Sequence, residues 1–139
     1  MKRVLFAGMV LAAAVAMTPI RSNAVDPEFR KVRCTCYIEQ GVTYSGHDTH
    51  KGIIAGRKED LGKVAALYTI GEDGELGEFI GYFDFYDIGA GADTDGDGKG
   101  DSIIKGKSVD VFRDNMDEVW DFVRKYGDYV YIKIIEAAG

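Results

Sequence analysis

Three shortages bound what this chain of 139 residues can be: cysteine, positive charge and long apolar runs. Only Cys34 and Cys36 occur, in "RCTCY". Residues two apart on a strand point the same way without the geometry a disulfide needs. Two thiolates, with histidine only at positions 47 and 50, also make a poor zinc set. Free, half-buried strand cysteines are the expectation, with a Cys-x-Cys redox pair or a metal site as alternatives. Lysine and arginine number 17 against 23 aspartates and glutamates, a formal charge of −6. An acidic surface opposes a nucleic-acid backbone, whose binding needs cations to displace counterions. No basic cluster interleaved with aromatics offsets this, so no nucleic-acid partner is expected.

The N-terminal apolar run, Val4 to Met17, is 14 residues long. As a helix it would cover only about 21 Å of a bilayer core of roughly 30 Å. Lys2 and Arg3 precede it, and Ser22-Asn23-Ala24 offers the small residues a signal peptidase reads. Residues 1–24 thus read as a secretory signal peptide. Cleavage there leaves no stable membrane anchor and moves the charge from −6 to −9, because Lys2, Arg3 and Arg21 leave with no acid. The mature chain would run from Val25 as a secreted, monomeric, single-domain protein.

Beyond the leader, short strands alternate with glycine turns. "VRCTCYI" (32–38) follows the two-residue strand period; "GIIAG", "VAALYTI", "EFIGYFDFY" (78–86), "KSVDVF" (107–112) and "DYVYIKIIEA" read the same way. One helix stands out. Asn115 can cap it, Glu118 completes the capping pattern, and Val119, Phe122, Val123 and Tyr126 form its apolar stripe before Gly127. Trp120, beside the stripe, is expected in the core. About six strands and one helix suggest a small closed barrel, since closure removes exposed strand edges.

The segment "DIGAGADTDGDGKGDSIIKGKSVDVF" (87–112) holds six aspartates. Asp93, Asp95, Asp97 and Gly98, with Asp101 at the ninth position, resemble the opening of a calcium loop, but Ile104 stands where the twelfth-position bidentate acid belongs. A solvated Asp/Gly turn is the preferred reading, so no metal or other cofactor is expected. Asp87 and Asp110 differ from these because they lie in apolar strands, where an ionised carboxylate is costly unless paired or functional. Burial or a second carboxylate raises a carboxyl pKa, and such a group can hand a proton to a leaving oxygen near neutral pH. Each could equally cap backbone N–H groups at a turn. His47 and His50, in "SGHDTHKG", could line a groove or join Asp48 around a metal; an exposed loop pair is preferred.

"DIG…IIKGKSVDVF", a helix and "YGDYVYIKIIEAAG", with the opening "RCTCYIEQGVTYSG", together resemble the bacterial three-aspartate (3D) domain over residues 33–139, with 25–32 as a short segment before it. The resemblance implies a mainly β fold, a six-stranded double-psi β-barrel with one helix before the last strand, related to membrane-bound lytic transglycosylase A. It implies a wall-associated protein acting on peptidoglycan glycan strands at the MurNAc–GlcNAc β-1,4 bond. In such an enzyme one aspartate protonates the glycosidic oxygen, then takes the proton of the sugar's own 6-hydroxyl as an anhydro ring closes. By position, Asp110 matches the acid/base; Asp87 matches a neighbouring aspartate that would tune it and bind substrate. Lys105 and Gly106 match an Ile-Lys-Gly step, where the lysine would hold a sugar hydroxyl or pair with Asp87, and Thr43 and Ser45 match a polar turn near the groove. The sequence departs from the family in three places, one of them the Asp/Gly segment that lengthens the loop before Ile-Lys-Gly. Arg57 stands where the first of the three aspartates belongs, and Ile88 replaces the threonine of Asp-Thr-Gly. Asp84, on the strand of Asp87, is a stand-in for the missing carboxylate. The alternative to an enzyme is a non-catalytic barrel that binds wall glycan.

Overall fold

The computed structural model describes residues 26–136, so the expected leader lies outside the described residues. The elements are β1 (Phe29–Tyr37), β2 (Ile53–Gly56), β3 (Val64–Ile70), β4 (Leu76–Ile88), β5 (Ser108–Phe112), α1 (Met116–Tyr126) and β6 (Tyr129–Ile135), with a 3-10 turn at Lys58–Asp60. The fold is mainly β: a six-stranded mixed sheet with one helix before the last strand. Hydrogen-bonded order runs β1-β5-β2-β4-β3-β6, and β6 pairs back onto β1, so the sheet closes on itself. Two ladders are parallel, β1 with β5 and β2 with β4; the other four are antiparallel.

The two-residue period decides which side chains fill the enclosed space. Val32 and Cys34, Ala65 and Leu67, Phe83 and Phe85, Val109 and Val111, and Val130 and Ile132 alternate inward, with Ile54 from β2 and Phe122 from α1 completing the cluster. Gly56 is required here, because a side-chain carbon would run into the Phe85 ring. Both cysteines are free, Cys34 buried and Cys36 half-buried. Burial pushes the Cys36 thiol up to about 11, so it is protonated near neutral pH.

The helix follows its sequence signals. The Asn115 side chain accepts from the Glu118 N–H at 3.0 Å, and Gly127 ends the helix at φ 84°. Two expectations fail. β1 begins at Phe29, inside the stretch read as a short segment before the domain, and pairs with β6 from Phe29 onward. Arg30, Lys31 and Arg33 mask the apolar alternation there, although Val32 is fully inside. Trp120 is not in the core but 53% exposed, since one helical step, roughly 100°, turns it off the Val119–Phe122 stripe. Among the described residues no helix is long and apolar enough to cross a membrane.

Candidate active site

Register brings the two strand aspartates together. Asp110 pairs with Thr35 of β1 on one side and Ala55 of β2 on the other, and Ala55 pairs with Asp87 of β4. Thr35, Asp110, Ala55 and Asp87 therefore form one row across four strands, facing away from the enclosed core. Asp110 and Asp87 are two strand spacings apart, roughly 10 Å between Cα atoms. A β-bulge makes the row possible. Ile54 opposes Phe85, but Ala55 opposes Asp87, so Tyr86 is an extra residue on β4. Without it, alternation would send Asp87 to the opposite face. The same bulge leaves Asp84 opposite Ile53, two β2 positions from the Ala55 row.

Asp110 is the electrostatically perturbed member. Burial pushes its carboxyl up from an ordinary 3.8 to about 6; the Thr35 hydroxyl opposes this, and the charges of Glu39 and Asp87 add to it. Thr35 Oγ1 lies 2.9 Å from Asp110 Oδ1 and 3.2 Å from the Val109 carbonyl. Its one proton serves Asp110 when the carboxylate is charged and can turn to Val109 when Asp110 carries a proton, so both protonation states are accommodated. The displacement also has a stability consequence. Native Asp110 binds a proton more tightly than the unfolded chain does, so stability falls as pH rises between about 4 and about 6. Above that window the buried charge costs at most about 3 kcal/mol. Asp110→Asn is therefore expected to raise the melting temperature at pH 8 and leave it nearly unchanged at pH 4. An equal shift at both pH values in parallel melts would show that Asp110 is not the group responsible.

Asp87 has a different job. Oδ1 accepts from the Tyr44 N–H at 3.0 Å and from its own neighbour's Ile88 N–H at 3.0 Å, and Oδ2 accepts from the Tyr37 hydroxyl at 3.2 Å. It thus caps backbone donors and pins the 38–50 loop over the end of β4. Its influence on Asp110 is the smallest of those acting on that carboxyl, so the expected tuning role is minor. Thr43 and Ser45 hold the same loop together. Thr43 Oγ1 accepts from the His47 N–H at 3.1 Å, and Ser45 Oγ donates to the Tyr86 carbonyl at 2.6 Å. The His47 ring stacks on Tyr86 at 3.7 Å, and His50 Nδ1 meets the Lys51 carbonyl at 2.7 Å. These contacts make both histidines parts of loop architecture.

Of the two roles implied for Lys105, holding a sugar hydroxyl or pairing with Asp87, the ion pairs bear on the second. The Lys105 ammonium lies 2.8 Å from Asp101 and 3.3 Å from Asp95, so it pairs inside the Asp/Gly loop and not with Asp87. It holds the Asp101 carboxyl well below the usual carboxylate range. Asp93, Asp95 and Asp101 each turn an oxygen to a common point, which could hold a cation, but Lys105 already supplies positive charge to two of them. Gly106, at φ 76°, lies under the Arg57 side chain, where a Cβ would come 3.0 Å from Cδ. Arg57 in turn grips the buried Asp60 through Nε at 2.9 Å and Nη2 at 3.3 Å. A cavity of about 300 Å³ opens just past Asp87, between Arg57, Lys58, Ile88 and Ile104.

Thr35, Tyr37 and Tyr44 carry contacts at this site that were not assigned to it from sequence. For Thr35 and Tyr37 the signal was present, because alternation puts them on one face of β1. For Tyr44 it was not, because its backbone, not its side chain, makes the contact. No family model matches the chain, and neither the curated proteins nor the solved structures include a match to it.

Proposed function

We propose that this is an exported wall protein that cleaves the MurNAc–GlcNAc β-1,4 bond of peptidoglycan in the manner of a lytic transglycosylase, on a double-psi β-barrel. The observation that carries the reading is Asp110, half-buried, raised to about 6, and in one row with Asp87 and Thr35 on an outward face of the sheet. The two parallel ladders and the helix before the last strand support the barrel type. Protonated Asp110 gives its proton to the glycosidic oxygen as the C1–O bond breaks. The resulting carboxylate takes the proton of the same sugar's 6-hydroxyl, whose oxygen closes onto C1. No water is consumed, and Asp110 ends protonated. Asp87 acts as a positioning residue, holding the Tyr44 loop against the groove.

Incubating the protein with purified peptidoglycan from pH 4.5 to 8 tests this reading. Anhydro-muropeptides should appear, fastest below about pH 6 where Asp110 keeps its proton. A second reading, glycan binding without cleavage, is favoured by one observation: the position of the third aspartate is Arg57, committed to Asp60 and Glu59. Pelleting of the protein with the wall at every pH without soluble products would establish that reading instead.

A further inference from the structure

We infer that the cavity beside the Thr35–Asp110 pair is a subsite for an anionic group carried on the glycan, held by Arg33 and Lys107. The inference rests on the reading that this groove takes wall glycan. Arg33 pairs with Ser108 in the same parallel ladder that pairs Thr35 with Asp110. It therefore lies on the Thr35 face, two residues along β1, about 7 Å from Thr35. The Arg33 N–H donates to the Lys107 carbonyl at 3.0 Å, which fixes the two cationic residues side by side. Their side chains border a cavity of about 350 Å³, with Asp93, Thr94, Ser102 and Tyr129 among its other walls.

Among the polar wall groups, Asp93, Thr94, Ser102 and Ser108 are already engaged within the protein. Asp93 is turned into its own loop, Oδ1 accepting from Asp95 and Gly96 and Oδ2 from Gly98; the Gly98 amide above all holds its carboxyl below the usual range. Thr94 Oγ1 donates to Asp101 and meets Lys105. Ser102 Oγ accepts from the Ala92 N–H and pairs with Ser108 Oγ. Arg33 and Lys107 take part in none of the ion pairs among the described residues. On a chain of net charge −6, two adjacent cations with no acidic partner are the feature to explain. The Tyr129 ring beside them is half exposed, with the Lys31 ammonium 5.1 Å from its centroid. Two unpaired cations beside an aromatic face suit a sugar that stacks on the ring and presents a carboxylate or phosphate to the cations. A neutral sugar would use the ring and leave both charges unanswered.

Calorimetric titration with three probes tests this: the GlcNAc–MurNAc disaccharide with its free lactyl carboxylate, GlcNAc 6-phosphate, and neutral chitobiose. At least one anionic probe should bind on the order of tenfold tighter than chitobiose, about 1.4 kcal/mol. Arg33→Gln with Lys107→Gln should erase that preference, and Lys125→Gln, on the helix, should not. Tighter binding of the disaccharide assigns a carboxylate to the subsite; tighter binding of the phosphosugar assigns a phosphate. Chitobiose binding as tightly as both anionic probes, or an equal loss in Lys125→Gln, overturns the subsite while leaving glycan binding intact. No binding of any probe overturns the subsite and the glycan reading together.

Discussion

Asp110→Asn is expected to lower release of anhydro-muropeptides from purified peptidoglycan by at least about a hundredfold, the low end for loss of a general acid. Asparagine keeps the shape of the side chain and can accept from Thr35 at the same 2.9 Å, but it can neither give nor take the proton. The fold has no reason to fail, because the substitution removes a half-buried charge. Binding to the wall should persist, and this separates loss of chemistry from loss of recognition. Muropeptide analysis of the soluble fraction reads the first effect and a pelleting assay the second. Undiminished product from the variant would exclude Asp110 as the acid and leave the raised carboxyl without a catalytic role.

The second large effect is on stability and centres on a residue away from the chemistry. Asp60 is 2% exposed, with Arg57 bonded to it in a bidentate fork and Lys63 at 3.8 Å. Arg30 is close by. Burial and then the charge of Arg57 depress its guanidinium, and its Nε has no hydrogen-bond partner among the described residues. Removing the Asp60 charge takes away the buried acid among these cations, leaving Arg57 only the exposed Glu59 at 3.7 Å and Lys63 only the exposed Glu136 at 3.2 Å. Asp60→Asn should therefore cost about 3 kcal/mol, the low end for breaking a buried pair, because Arg57 is partly exposed. For a domain of this size that lowers the melting temperature on the order of 10 °C. Asp60→Leu combined with Arg57→Leu should recover much of the loss, since an apolar pair removes both charges. A change below about 1 kcal/mol in denaturant unfolding of Asp60→Asn would mean that solvent, not Asp60, balances Arg57.

How much of this was legible beforehand depends on how local each signal is. The alternation in "RCTCY", "SVDVF" and "YVYIKII" and the Asn115-to-Gly127 helix signals act within a few residues, and those elements lie where the residues placed them. The row of Thr35, Asp110, Ala55 and Asp87 depends on pairings between segments far apart in the chain. Its register also turns on one extra residue at Tyr86, which no local pattern announces. Lys105 pairs with Asp95 and Asp101 and not with Asp87 for a similar reason: its partners are fixed by the turn of the Asp/Gly loop. Asp60 was missed because "RKED" reads as a solvated charge run, and only the approach of Arg30 and Lys63 makes it an interior position.

The order of the ring bears on how the chain reaches it. Among the described residues β1 comes first along the chain, and its two neighbours in the ring, β5 and β6, are the last two strands. The Thr35–Asp110 hydrogen bond spans 75 positions, so the candidate site cannot assemble until β5 is available to β1. Contacts that distant place folding among the slower small domains, in the millisecond-to-second range. Under the export proposed above, a chain that folds late stays threadable for passage through a membrane channel.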